Sequence, residues 1–137
     1  MLPARTVSVS IDATPDVVYR FVADAFNMAR WAPGFCQTIT ADPAVERGWR
    51  ITTAEGVQAH ARFVAPNAHG IVDHWVVLPD VGEVYVPLRV VANGAGSEVL
   101  LTIFRQPAMS VAQWDADCQA VSADLTRLKE LLDAKAR

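Results

Sequence analysis

Between Gly34 and Gln106 the chain carries no helical pattern, only short strand-like segments at about 35–41, 47–53, 57–65, 70–77, 83–92 and 97–106. The breaks "DPAVERG", "AEG", "PNAHG", "LPDVG" and "NGAG" supply the turn chemistry that closes each one. Six strands in succession, with no helix long enough for a crossover, specify an antiparallel meander. Such a sheet must bury one face, and the covering element follows directly. Ser110 and Gln113 fit an S-x-x-Q capping box, and Trp114, Cys118, Val121, Leu125, Leu128 and Leu132 recur at helical spacing along one face. A helix from there to about Asp133 is roughly 35 Å long, enough to cross the sheet.

The N-terminal segment completes the set. "RTVSVSID" alternates Val7, Val9 and Ile11 with polar residues, the period of a half-buried strand. Thr14 is placed to cap a short helix with Pro15 first, and "FNMARWAPGF" reads as a second, capped by Asn27 and stopped before Pro33. The expected fold is α+β: a curved antiparallel sheet of about seven strands wrapped on a long C-terminal helix, with two short helices after strand one. At 137 residues it is expected to form a single domain spanning 1–137.

Composition excludes several partners. No apolar run reaches the 18 or so residues needed to cross a bilayer. The start "MLPARTVSVSIDATPD" has no secretory h-region, so a cytoplasmic location is expected. A net charge of −3 without a Lys/Arg cluster argues against nucleic acid. Cys36 and Cys118 form no CxxC unit and are read as reduced, packed thiols. His60, His69 and His74 match no metal-ligand spacing, and there is no G-x-S-x-G elbow; neither a metal nor a cofactor is expected. The "GAG" at 94–96 lies in a hairpin turn, not before a helix, and is no phosphate loop.

The element order, together with "TVSVSIDATPDVVYRFVADAFNMARWAPGF" and "FRQPAMSVAQWDAD", resembles the START/Bet v 1-like (SRPBCC) superfamily and its polyketide cyclase/lipid-transport-like members. The resemblance implies a helix-grip fold with a cavity between sheet and C-terminal helix. Members bind lipids, sterols, polyketides or hormones, some cyclise or dehydrate aromatic polyketides, and some are co-chaperones. No catalytic motif is common to them, so residues must supply the function.

The stretch "VDHWVVLPDVGEVYVPLRV" carries the ionisable groups. With Val77 opposite Glu83 across "LPDVG", Trp75 faces Tyr85 and Asp73 faces Pro87, with Arg89 one step away. Carrying Val91 opposite Val99 across "NGAG", and continuing back across "PNAHG", gathers Phe63, Asp73, Trp75, Tyr85, Arg89, Leu101, Ile103 and Arg105 on one face. That face is assigned to the cavity. His60, Arg62, His74, Glu98, Thr102 and Gln106, with Val84, Val86, Leu88, Leu100 and Phe104, take the other. A bulge or a one-residue slip exchanges the faces and turns His60, Arg62 and His74 inward.

On this register Asp73 and Arg89 either form an ion pair, with Tyr85 and Trp75 as packing, or line a wet pocket. In the pocket reading Trp49, Phe63, Trp75, Leu101, Ile103 and Trp114 hold an apolar ligand while Tyr85, Arg89 or Arg105 binds its polar end. The first expectation is therefore binding of a small hydrophobic or amphipathic molecule. The alternatives are a cyclase or dehydratase, with Asp73, Tyr85 or His74 as acid or base and Arg89 or Arg105 stabilising an enolate, and a co-chaperone-like interaction module. The apolar residues on the supposed outer face suggest a homodimer.

Overall fold

The computed structural model describes residues 1–133. Strand β1 (Ala4–Ile11) is followed by helix α1 (Pro15–Ala23), a 3-10 turn at Ala25–Asn27 and helix α2 (Met28–Trp31). Seven further strands follow: β2 (Cys36–Ala41), β3 (Gly48–Thr53), β4 (Gln58–Phe63), β5 (His74–Leu78), β6 (Gly82–Val86), β7 (Leu88–Asn93) and β8 (Gly96–Phe104). Helix α3 (Val111–Asp133) closes the chain. The architecture is the expected α+β one, with eight strands where about seven were expected.

The additional strand comes from Pro87. The segment read as one strand over 83–92 divides there into β6 and β7, because proline has no N–H to give a ladder. β6 pairs only with β5 and ends a five-stranded sheet in the order β2-β3-β4-β5-β6, whereas β7 joins β8 in a three-stranded sheet in the order β1-β8-β7. The two stay in register through an Ile71–Arg89 bridge. Val72 N–H donates to the Leu88 carbonyl at 2.8 Å and Val90 N–H to the Gly70 carbonyl at 2.9 Å beside it.

The helical ends follow from local chemistry. Ser110 and Gln113 close the predicted box reciprocally, Ser110 N–H donating to Gln113 Oε1 at 2.8 Å and Gln113 N–H to Ser110 Oγ at 3.1 Å. Thr14 and Asn27 occupy the positions ahead of their helices, but neither side chain caps; Asn27 instead donates to the Phe21 carbonyl. The apolar stripe of α3 buries Trp114, Leu125, Leu128 and Leu132 against β1 and β8. Leu125, Leu128 and Leu132, with Val18 of α1, Ile51, Leu88 and Val99, form the centre of the core.

Two slips of one residue separate the expected register from the observed one. The central hairpin is as read, with Val77 opposite Glu83 and Trp75 opposite Tyr85. On one flank the "NGAG" turn uses only Gly94 and Ala95, so Val90, not Val91, meets Val99, and Leu88, not Arg89, meets Leu101. Gly94 at φ 58° makes this tighter turn possible. On the other flank Phe63 meets His74 and Arg62 meets Trp75. The face carrying Phe63 and Leu101 therefore continues through His74, Val76, Val84, Val86 and Leu88, and Asp73, Trp75, Tyr85 and Arg89 lie on the other side of the sheet with Arg62.

Candidate functional site

A cavity of about 440 Å³ opens between α3 and the sheet. Its floor is the inward row of β5 and β6, His74, Val76, Leu78, Val84 and Val86, continued by Leu101 and Ile103 of β8. Met28, Trp31, Ala32 and Phe35 close one end, and Ala120, Val121 and Asp124 of α3 form the roof. The mouth is edged by Glu55 and Val57 of the β3–β4 turn, by Pro79–Val81 of the β5–β6 turn, and by Met109 and Asp117. The walls are apolar apart from a few polar groups, as expected of a site that holds a largely apolar molecule.

Three polar groups lie deep in this wall. His74 is 5% exposed, stacks on Phe63 with ring centroids 4.6 Å apart, and holds its Nδ1 3.1 Å from the Val72 carbonyl. Burial lowers the affinity of this imidazole for a second proton, outweighing the Val72 carbonyl and the charge of Asp73, which raise it. Asp124 is also buried; its Oδ1 accepts from Gly34 N–H at 3.2 Å, and burial raises the carboxyl above its ordinary value despite that bond. The third group is Trp31, whose indole N–H is buried without a hydrogen-bond partner among the described residues. At the mouth, loss of hydration and then the charge of Glu55 hold the Asp117 carboxyl up as well.

Of the residues predicted for the site, Leu101 and Ile103 line the cavity from the inward face, and Tyr85, on the opposite face of the edge strand β6, borders it. Asp73, Trp75, Arg89, Arg105 and Trp114 do not. Asp73 is buried on the opposite side of the sheet, held by Arg89 and Tyr85. Trp75 stacks on Tyr85 at 5.3 Å and under the Arg62 guanidinium at 4.4 Å. Arg105 donates from Nε to the Met109 carbonyl at 2.9 Å, beside the mouth. Trp114 is fixed by Nε1 donating to the Ile103 carbonyl at 3.1 Å and by the Arg5 guanidinium 3.9 Å over its ring.

Trp49 and Phe63 border a separate pocket of about 140 Å³ beneath α1, with Tyr19 and Arg47. The outer patch invoked for a homodimer disperses, because Leu88 is fully buried and Val84 and Val86 line the cavity. Cys36 is a buried free thiol, which burial alone pushes up to about 11. Among the described residues no group of three or more His, Cys, Asp or Glu could hold a metal ion, and no helix is long and apolar enough to cross a membrane.

A long helix gripped by a curved antiparallel sheet is an arrangement that known proteins share. Residues 4–136 match the family described as polyketide cyclase/dehydrase and lipid transport. The chain belongs to that family. Among solved structures, the fold is similar to that of the Zhui aromatase/cyclase from Streptomyces sp. R1128, with a TM-score of 0.78 at 16% identity over 100% of this chain and 97% of the other. It is also similar to the protein XoxI from Bacillus cereus, with a TM-score of 0.78 at 13% identity over 96% of each chain. Ara h 8.0201 is a third, at 0.72 and 11% identity over 96% of this chain and 98% of that one. No curated relative matches. At these identities the structural likeness establishes the shared fold.

Proposed function

We propose that this member of the family binds a small, mostly apolar molecule in the cavity between the sheet and α3. The observation that carries the reading is the cavity itself: about 440 Å³, within the range of small-molecule sites, and walled by valines, leucines and aromatic rings. A domain of this size gains stability by closing such a space, so an open interior favours a ligand over an interaction module with a filled core. Native mass spectrometry of the freshly purified protein, and titration with the neutral fluorophore N-phenyl-1-naphthylamine, test it. The protein is expected to bind the fluorophore at micromolar concentration. Val86→Trp, which fills the floor, should weaken binding at least tenfold while leaving the thermal transition cooperative. Undiminished binding by that variant, or no binding by the wild type, rejects the reading.

A second reading, a cyclase or dehydratase, is supported by His74. Its neutral ring stands on the cavity floor, and among the described residues its Nε2 has no hydrogen-bond partner, so it is free to take a proton from a bound molecule. Asp73 and Tyr85 are less suited to that role, since each is committed to the other. Turnover of the co-purified compound by wild type and by His74→Gln separates binder from enzyme. Binding with no chemical change in the compound rejects the enzymatic reading.

A further inference from the structure

On the cavity floor one polar side chain is set among carbon. Across the ladders His74 lies between Phe63 of β4 and Val86 of β6, and Val76 follows it on the same face of β5. None of these three side chains has a hydrogen-bonding group, so the chemistry of this part of the floor is that of the imidazole alone. The ring is enclosed almost completely, at 5% exposure, with one face stacked on Phe63.

Its two nitrogens differ. Nδ1 stands 3.1 Å from the Val72 carbonyl, and a carbonyl only accepts, so Nδ1 carries the proton and Nε2 the lone pair. Burial favours this neutral form of the ring. Trp31 Nε1 is the one side-chain nitrogen or oxygen among the described residues that is both fully buried and without a partner. His74 Nε2 also has no partner among the described residues but keeps accessible surface, and because His74 lines the cavity that surface opens into it.

A lone acceptor in an apolar floor is demanding. A buried water makes about three hydrogen bonds, and the protein offers it one here. A ligand group that donates to Nε2 replaces such a water with little loss. An ether or carboxylate oxygen brings only lone pairs against the lone pair of Nε2, and a methyl leaves the acceptor dry and unpaired. An ammonium donates, but must leave water for a floor of carbon. An uncharged O–H or N–H meets every condition.

We propose that His74 makes the cavity floor a polar subsite for an uncharged O–H or N–H group on an otherwise apolar ligand, and that the cavity selects against ligands of the same shape that lack this donor. This rests on the ligand-binding reading above and adds to it the class of ligand; it holds whether or not the bound molecule is turned over.

The test is displacement of N-phenyl-1-naphthylamine at pH 7 by 2-naphthol, which is neutral there, and by 2-methylnaphthalene, in which a methyl replaces the hydroxyl. A cavity without an acceptor prefers the methyl compound, since a hydroxyl has more hydration to lose. The wild type is expected to reverse that order, 2-naphthol displacing the fluorophore at a concentration at least about threefold lower. His74→Phe keeps a ring against Phe63 and removes the acceptor, and should restore preference for 2-methylnaphthalene. The ratio between two competitors in one protein does not depend on the affinity of the fluorophore, which itself carries an N–H. Should His74→Phe fail to fold, wild-type protein labelled with 15N-histidine decides in its place, with His60→Gln and His69→Gln assigning the resonances. The Nε2 signal of His74 should move with 2-naphthol and not with 2-methylnaphthalene. A wild-type preference for 2-naphthol below threefold overturns the proposal, as does a ratio unchanged in His74→Phe or an equal response of the Nε2 signal to both compounds. Failure of the fluorophore to bind the wild type overturns the cavity reading, and this proposal with it.

Discussion

Arg89 grips Asp73 with two parallel hydrogen bonds, Nε to Oδ1 and Nη2 to Oδ2, each 2.9 Å long. The carboxylate also accepts from Tyr85 Oη at 2.7 Å and from Leu88 N–H at 3.0 Å. It thereby ties the start of β5 to both strands on either side of Pro87, where the backbone lacks a donor. Burial alone pushes the Asp73 carboxyl up, but Arg89, Tyr85 and Leu88 together outweigh it and hold the group at about 2. A carboxylate depressed in the folded state contributes stability that is present above its unfolded value near 4 and is lost as pH falls toward 2.

Asp73→Asn is therefore expected to lower the unfolding free energy at pH 7 by about 2–3 kcal/mol, with the deficit shrinking as the pH is brought from 4 to 2. Urea denaturation across that range measures it. Binding of a neutral probe should stay within twofold, because the carboxylate does not line the cavity.

Folding shifts His74 in the same direction for a different reason, burial of the ring disfavouring its charged form. Its neutral form is favoured in the folded protein, so the unfolded chain takes up a proton first as pH drops below about 6.5. Stability is expected to decline from pH 7 to pH 5. His74→Phe, which keeps the ring stacked against Phe63, should flatten that decline in thermal melts at the two pH values.

How far the sequence specified this arrangement depends on the length of its turns. The five-residue "LPDVG" gave the central register correctly, since Leu78 pairs with Gly82 and Val77 with Glu83. The flanks were not legible to one residue, because "NGAG" can close over two residues or three, and the 64–73 segment runs outside the ladder before β5 begins. A signal was nevertheless present: the expected outer face held Val84, Val86 and Leu88, and apolar count should have outweighed a continuous register. Asp124 also had a legible mark, as a carboxylate three residues from Val121 and four from Leu128 on the apolar stripe of α3. Trp31 had none, since the lack of a partner for a buried indole is a property of three-dimensional packing alone.

The junction between the two sheets depends on Gly70. It adopts φ 72°, and a Cβ there would come within 2.1 Å of the Val90 carbonyl oxygen. Its own carbonyl accepts from Val90 N–H. Gly70→Ala must therefore push the segment off β7 and break that bond, at a cost of at least ~2 kcal/mol. Hydrogen exchange should show Val90 and Val72 amides losing protection together, whereas faster exchange at Val90 alone would mean that the two sheets are joined independently of Gly70.

The buried Asp124 carboxyl works against stability at neutral pH. A carboxyl whose value is raised by folding favours the unfolded state once the pH is above its ordinary value near 4, and the penalty is complete above its folded value. Replacement by asparagine keeps an oxygen for Gly34 N–H and removes the charge, so the penalty disappears. Asp124→Asn is expected to raise the Tm at pH 7 by a few degrees and to bring no gain at pH 3, where the wild-type carboxyl is already protonated. An equal gain in Tm at both pH values would instead trace the effect to packing against Gly34.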